Sequence, residues 1–444
     1  MQEAPETRYA RLGEDRIAYQ VLGEGPIDVV YAPARGDSLD LRFDWPPLGE
    51  FLHRLASFSR LIMFDRRGTG SSDSISYERL SLWEQWADDV RAVLDAVGSD
   101  SAALLGTGDV GPTAALFAAA EPERTRALIL FTTSARFTAA DDYPWGLPED
   151  VLLEGFSQLG ETWGTEAPVD LLVPSMSGDR GFRRWYAKTC RAALGPRDAA
   201  TYFGLLSRMD VRMVLPTIRV PTLVMHREGF HLPVEQSRYL AEHIAGATFV
   251  TVPGQDSTIY TAPTEEILAA IEEFLTGAHA VFEPDRVLAA LLFTDIVGST
   301  QRAASLGDRR WKELLVSHDA AVRDIVEQHR GRLVKNTGDG VLAMFDGPGR
   351  AIRCALALRD GLRTLAIEIR AGLHTCEVEV MGEDIGGIGV HIAARVMAQA
   401  EPNEVVVSGV MPPLVAGSGI DFADRGEHEL KGVPGTWRLY AVSG

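Results

Sequence analysis

Cysteine is scarce: Cys190, Cys354 and Cys376 are the only three in 444 residues, and no two of them sit at a short paired spacing. That excludes a disulfide framework and a cysteine cage for zinc, and it is the usage of a reducing compartment, so the cytosol is expected. No run of eighteen apolar residues exists, and the opening Met-Gln-Glu-Ala-Pro-Glu-Thr-Arg is neither basic nor apolar. Neither a membrane span nor a signal peptide is therefore expected. A basic excess is also missing: 43 Lys and Arg stand against 62 Asp and Glu, a net charge of −19. Bulk attraction to nucleic acid is thereby disfavoured, and a polyanionic substrate would need a local patch of metal ions and basic side chains. Internal repeats and low-complexity tracts are absent.

What remains is the composition of a globular protein, 46% hydrophobic and 24% charged. The chain is too long for one ordinary core, so two domains are expected. In the N-terminal half, apolar segments alternate with helical patterns. Asp28–Ala32, Leu61–Asp65, Ser101–Leu105, Ala127–Phe131, Pro221–His226 and Ala247–Val252 read as strands, with helices such as Leu82–Val97 and Thr113–Ala120 between them. That order predicts a parallel sheet with helices on both faces. An insertion at about 136–215, carrying Trp145, Trp163 and Trp185, is expected to cap the strand ends. Gly277 past a helix, then Pro284, mark a boundary. The expected division is 1–280, a linker at 281–288, and 289–444.

In the C-terminal half, Leu291-Leu-Phe-Thr-Asp-Ile-Val-Gly-Ser-Thr300 reads as a buried strand entering a loop, with Asp295 near its mouth. A helical pattern fills Arg302–Arg330. Gly338-Asp339-Gly340 between apolar runs is a hairpin turn that puts Asp339 on a loop tip. Taken alone, each aspartate reads as an ordinary turn residue; as a pair on adjacent turns they suit two Mg²⁺ ions in an in-line phosphoryl displacement.

Phe293-Thr-Asp-Ile-Val-Gly-Ser-Thr300, Lys335-Asn-Thr-Gly-Asp-Gly340 and Glu383-Asp-Ile-Gly-Gly-Ile-Gly-Val-His-Ile-Ala-Ala-Arg395 together resemble the bacterial class III nucleotidyl cyclases, in family order, from about residue 287 onward. The resemblance implies a ferredoxin-like α+β core and an adenylyl cyclase working as a head-to-tail homodimer with shared active sites. It implies two Mg²⁺ or Mn²⁺ per site, held by Asp295, Asp339 and the backbone of Ile296. Lys335 and Asp384 take the base-reading positions: lysine donates to adenine N1 and aspartate accepts from the exocyclic amine, whereas guanine presents the opposite pattern, so ATP is the expected substrate. Arg395 falls at the position that neutralises the α-phosphate, and His391 stands where the family usually has Asn. Lys431 is the candidate for the terminal phosphates, and Phe293 to Thr300 for backbone N–H groups toward the triphosphate. Guanylyl or relaxed-specificity cyclase activity and a silent nucleotide-binding regulator are the alternatives.

Asp65-Arg-Arg-Gly-Thr-Gly-Ser-Ser-Asp73 and Leu104-Leu-Gly-Thr-Gly-Asp-Val-Gly-Pro112 resemble the α/β-hydrolase family over about 12–277, giving an overall α/β class. There the nucleophile sits on a Gly-x-Ser-x-Gly elbow and an acid and a His follow. The corresponding positions here are Gly108, Phe230 and Ser257, so the whole triad is vacant. Shifting the register by one would make Asp109 the nucleophile, but Ser257 cannot serve as its base, and His231 reads as a surface or pocket-wall histidine. A sensory or scaffolding module with a small-molecule ligand is the expectation for this half.

Overall fold

Short apolar, β-branched runs closed by Gly, Pro and Asp form the strands, and the longer amphipathic stretches between them form the helices. A computed structural model of the chain describes residues 4–32, 36–74, 82–277, 286–336, 338–381 and 384–443. Two compact units divide the chain. The first holds the sequence up to residue 76 and from 85 to 283, and the second holds 284–444 with the short stretch 77–84. The expected linker lies mostly outside the described residues. Among those residues no helix is long and apolar enough to cross a membrane.

The first unit is built on β1 (Arg8–Leu12), β2 (Asp15–Leu22), β3 (Asp28–Ala32), β4 (Arg60–Phe64), β5 (Ala102–Thr107), β6 (Thr125–Phe131), β7 (Thr222–Arg227) and β8 (Thr248–Val252). They lie in the order β1-β2-β4-β3-β5-β6-β7-β8. From β4 to β8 every neighbour is parallel. β1 and β2 add an antiparallel edge that the expected all-parallel sheet lacked. Every residue of β5 and β7 is buried, as a sheet covered on both faces requires. Helices Leu82–Ala96 and Gly111–Ala120 stand where the pattern put them. Between β6 and β7 the insertion forms a helical cap, including Glu149–Glu161, Arg180–Ala193 and Pro196–Leu206. Asp179 fixes the start of the second of these helices by accepting from the N–H groups of Gly181 and Phe182.

The second unit contains β9 (Arg286–Ile296), β10 (Arg332–Asn336), β11 (Gly340–Phe345), β12 (Ile369–Met381), β13 (Asp384–Gly386), β14 (Val405–Ser408), β15 (Asp421–Glu429) and β16 (Thr436–Ser443). The order is β10-β11-β9-β12-β14-β16-β15, with β13 folded onto β12. Alternation along β9 assigns its two faces. Ala290 and Leu292 pack with Val322, Val326, Ile352 and Leu358 of helices Asp308–Gln328 and Pro348–Gly361. Leu291 and Phe293 pack on the other face with Ala393 of the Ile388–Met397 helix. The helix expected over 302–330 is two helices, Ser299–Leu306 and Asp308–Gln328, broken at Gly307.

Candidate functional site

β9 is an interior strand of the second sheet, so its C-terminal end is flanked by β11 on one side and β12 on the other. Asp295 pairs with Gly340 of β11 and with Arg370 of β12. Asp339 immediately precedes Gly340 in the β10–β11 turn, and its carbonyl accepts from the N–H of Ile296 at 3.1 Å. A Cβ at Gly340 would stand 1.9 Å from the Thr294 carbonyl oxygen, so a residue without one is what lets the two acid-bearing segments close up. Arg370 donates to Asp295 Oδ2 at 2.6 Å. Partial burial raises the Asp295 carboxyl above its ordinary range; the Arg370 hydrogen bond opposes this, and the nearby Asp339 carboxylate adds to it.

Two half-buried carboxylates with backbone oxygens nearby form a hard, all-oxygen donor set, which fits Mg²⁺ or Mn²⁺. No cluster of three His, Cys, Asp or Glu able to hold a metal exists among the described residues. Such ions would therefore draw their remaining ligands from water and from a bound phosphate, as Mg²⁺ commonly does. Sequence reasoning missed Arg370. Its place beside Asp295 follows from the β12–β9 register, which no local pattern announces.

Lys335 and Asp384 meet. Lys335 Nζ donates to both carboxylate oxygens of Asp384 at 2.8 and 2.9 Å. The contact arises because the β12–β13 hairpin folds back over the sheet, seating Ile385 in one cluster with Leu291, Phe293 and Leu342. The Lys335 ammonium holds the Asp384 carboxyl below its usual range, helped by the Ile385 N–H. Both side chains are about half exposed, at 46% and 53%. An ion pair this open contributes little net stability, so a ligand can part it cheaply.

His391 and Arg395 are both exposed on one face of the Ile388–Met397 helix, whose opposite face buries Ile392 and Val396. Leu430 packs against those two residues. That contact anchors the β15–β16 turn on which Lys431 is exposed. Thr300 is exposed in the first turn of the Ser299–Leu306 helix. Phe293 lies within β9, 8% exposed, paired with Leu342 and Gly372, so its backbone belongs to the ladder.

In the first unit, Gly108, Phe230 and Ser257 all line one cavity of about 260 Å³ beneath the cap. β5 turns into the Gly111–Ala120 helix through Gly108, whose φ of +52° is the left-handed conformation of a sharp elbow. A Cβ there would meet nothing within 4 Å. The elbow is thus kept and the nucleophile is not. Ser257 Oγ donates to the Leu172 carbonyl at 2.8 Å. Asp109 accepts from Tyr202 of the cap at 2.5 Å. His231 stacks obliquely on Phe230 with ring centres 4.4 Å apart, and burial alone lowers its pKa. The pocket-wall reading of His231 fits this placement.

Residues 29–255 match the family model of the alpha/beta hydrolase fold, and residues 285–444 that of the adenylate and guanylate cyclase catalytic domain. A Rhizobium meliloti protein provisionally named an adenylate cyclase is 35% identical over 164 residues, 33% of this chain. The match spans only 27% of that relative's own length. An uncharacterized Mycobacterium tuberculosis protein is 35% identical over 278 residues, covering 61% of this chain and 69% of the relative. The first unit is similar in fold to a bromoperoxidase from Bacillus anthracis, with a TM-score of 0.52 at 19% identity, covering 61% of this chain and 100% of that one.

Proposed function

From a chain that belongs to the alpha/beta hydrolase fold family and also carries a class III adenylate and guanylate cyclase catalytic domain, we propose an adenylyl cyclase regulated by its hydrolase-like unit. ATP is converted to 3′,5′-cyclic AMP and pyrophosphate. The ribose 3′-oxygen forms a bond to the α-phosphorus, the bond from that phosphorus to the bridging oxygen breaks, and the 3′-hydroxyl proton passes to solvent.

The observation that carries this reading is the closeness of Asp295 and Asp339 on adjoining segments, where Asp295 pairs with Gly340 and the Ile296 N–H donates to the Asp339 carbonyl, beside Arg370. Asp295, Asp339 and the Ile296 backbone hold the divalent cations, which when bound activate the 3′-hydroxyl and steady the leaving pyrophosphate. Arg370 keeps the Asp295 carboxylate oriented by its hydrogen bond. Lys335 donates to adenine N1 and Asp384 accepts from the exocyclic amine, once their mutual ion pair opens. Arg395 neutralises charge on the α-phosphate, and His391, one turn earlier on the same face, donates to the same ligand. Lys431 and the first turn at Thr300 serve the terminal phosphates.

The active form is a homodimer in which the acids of one copy face Lys335, Asp384 and Arg395 of its twin. Two exposed apolar residues of the second unit support such an interface, Val316 at 63% and Ile388 at 60%. The first unit is the sensory module, since its cavity is kept while Gly108, Phe230 and Ser257 supply no triad.

Purified full-length protein assayed with ATP and with GTP, under Mg²⁺ and under Mn²⁺, tests the proposal. Cyclic AMP should form, Asp295→Asn should remove it, and Lys335→Glu with Asp384→Cys should move preference toward GTP. A well-folded protein that forms no cyclic nucleotide with either metal would refute the reading.

A further inference from the structure

The cavity of the first unit has walls that say more than that a ligand fits. Leu159, Phe156 and Phe203 of the cap make it largely apolar. Val151 and Leu171 also line it yet are 51% and 56% exposed, so the apolar surface continues outward to the protein's exterior. Against this stand two phenols. Tyr31 and Tyr260 line the cavity at 2% and 8% exposure, and neither hydroxyl has a hydrogen-bond partner among the described residues. Burial pushes the pKa of both upward, which keeps them as O–H donors at any physiological pH. Donors that open onto a largely apolar cavity with no protein acceptor mark where a ligand oxygen belongs.

The charges of the wall narrow the class. Asp37 is engaged by the buried Arg42 at 3.1 Å, and Asp109 by Tyr202 at 2.5 Å. A ligand carboxylate would face two acids. A ligand ammonium would lose its hydration to apolar walls and find both acids already bonded.

We propose that this cavity binds an uncharged, mainly apolar small molecule through a carbonyl-type oxygen received by Tyr31 and Tyr260, and that it holds the molecule without cleaving it. Retention without cleavage follows from Gly108, where a nucleophile would stand: its missing side chain leaves open space. The inference deepens the sensory reading above by naming what is sensed. Binding is read without any nucleotide turnover, so its failure and a failure of regulation are distinguishable.

Trp163 and Trp185 line the cavity and supply the signal. The full-length protein is titrated with γ-lactones bearing butyl to decyl chains, and with carboxylates and amines of matching length, following tryptophan fluorescence. The lactones should saturate, gaining roughly fourfold in affinity per methylene until the cavity is full. The charged series should bind at least about tenfold more weakly. Tyr260→Phe and Tyr31→Phe should each weaken lactone binding by about tenfold. Gly155→Phe, at a helical position where an added Cβ meets nothing within 4 Å, should abolish it by filling the space while preserving the fold. No saturable response to any lactone, equal binding of the charged series, indifference to both tyrosine changes, or release of the ring-opened hydroxy acid would each overturn the proposal.

Discussion

His374 on β12 is 4% exposed, with Nδ1 2.7 Å from Ser408 Oγ and its ring edge-on to Trp437. Burial lowers its pKa to about 4, so the folded protein keeps the ring neutral where an unfolded chain protonates it near 6.5. Between those values the unfolded state binds the extra proton. The stability this residue contributes is therefore fully present above pH 6.5 and is lost as the pH falls toward 4, by about 2 kcal/mol at pH 5. His226 in the first unit, 2.9 Å from Ser237 Oγ and also lowered to about 4, acts in the same direction. Thermal midpoints measured at pH 7.5 and pH 5 should fall with acid, and His374→Gln should shrink the fall. An unchanged fall would show that the buried imidazole is not its source. Nothing about position 374 marks it in the sequence. A lone histidine in an alternating strand declares neither its burial nor its serine partner, because both come from β14 and β16.

At the scale of elements, the acid pair depends on one close approach, that of β11 to β9 at Gly340. Gly340→Ala puts a methyl against the Thr294 carbonyl, which is backbone and cannot swing aside. The strand must lift at its first residue while Val341 to Phe345 stay paired with β9. A stability loss of about 1–3 kcal/mol is expected. Because Asp339 is the preceding residue, cyclase activity should drop by more than about tenfold, out of proportion to the loss of stability. Thermal denaturation with steady-state rates across a Mg²⁺ titration separates the two effects, and a rate that tracks stability alone would remove Asp339 from the site. The turn itself was legible: Gly338-Asp339-Gly340 between apolar runs predicts a hairpin, and β10 and β11 form one. Most strands of the first unit were legible for the same reason, as short apolar runs closed by turn residues. Long-range matters were not. The β12–β9 register that delivers Arg370 and the folding back of β13 that delivers Asp384 to Lys335 are set by packing between distant segments. So is the convergence of Tyr31 and Tyr260 on one cavity. The broken helix at Gly307 was readable in principle, since the glycine interrupts the pattern, but the apolar spacing on either side masks it.

For the whole molecule, the proposed chemistry demands two copies. Asp295 lies near the end of β9 and Asp339 in the turn before β11, while Arg395 and His391 project from a helix whose outer face is exposed. One chain carries both sets, so a head-to-tail pair would make two equivalent sites, each drawing its acids from one copy and its arginine from the other. Asp295→Asn spoils the acid set and leaves Arg395 intact; Arg395→Ala does the reverse. Each homodimer then has two dead sites, and each should be nearly silent alone. Mixing the two chains in equal amounts under exchange gives heterodimers as half the population. In every heterodimer one site collects both lesions and the other collects none, so roughly a quarter of wild-type cyclic AMP formation should return. The recovered rate should scale with the heterodimer fraction when the mixing ratio is varied, peaking at equal amounts. If exchange is verified by mass and the mixture stays silent, each site lies within one copy, and the proposed division of labour between subunits fails.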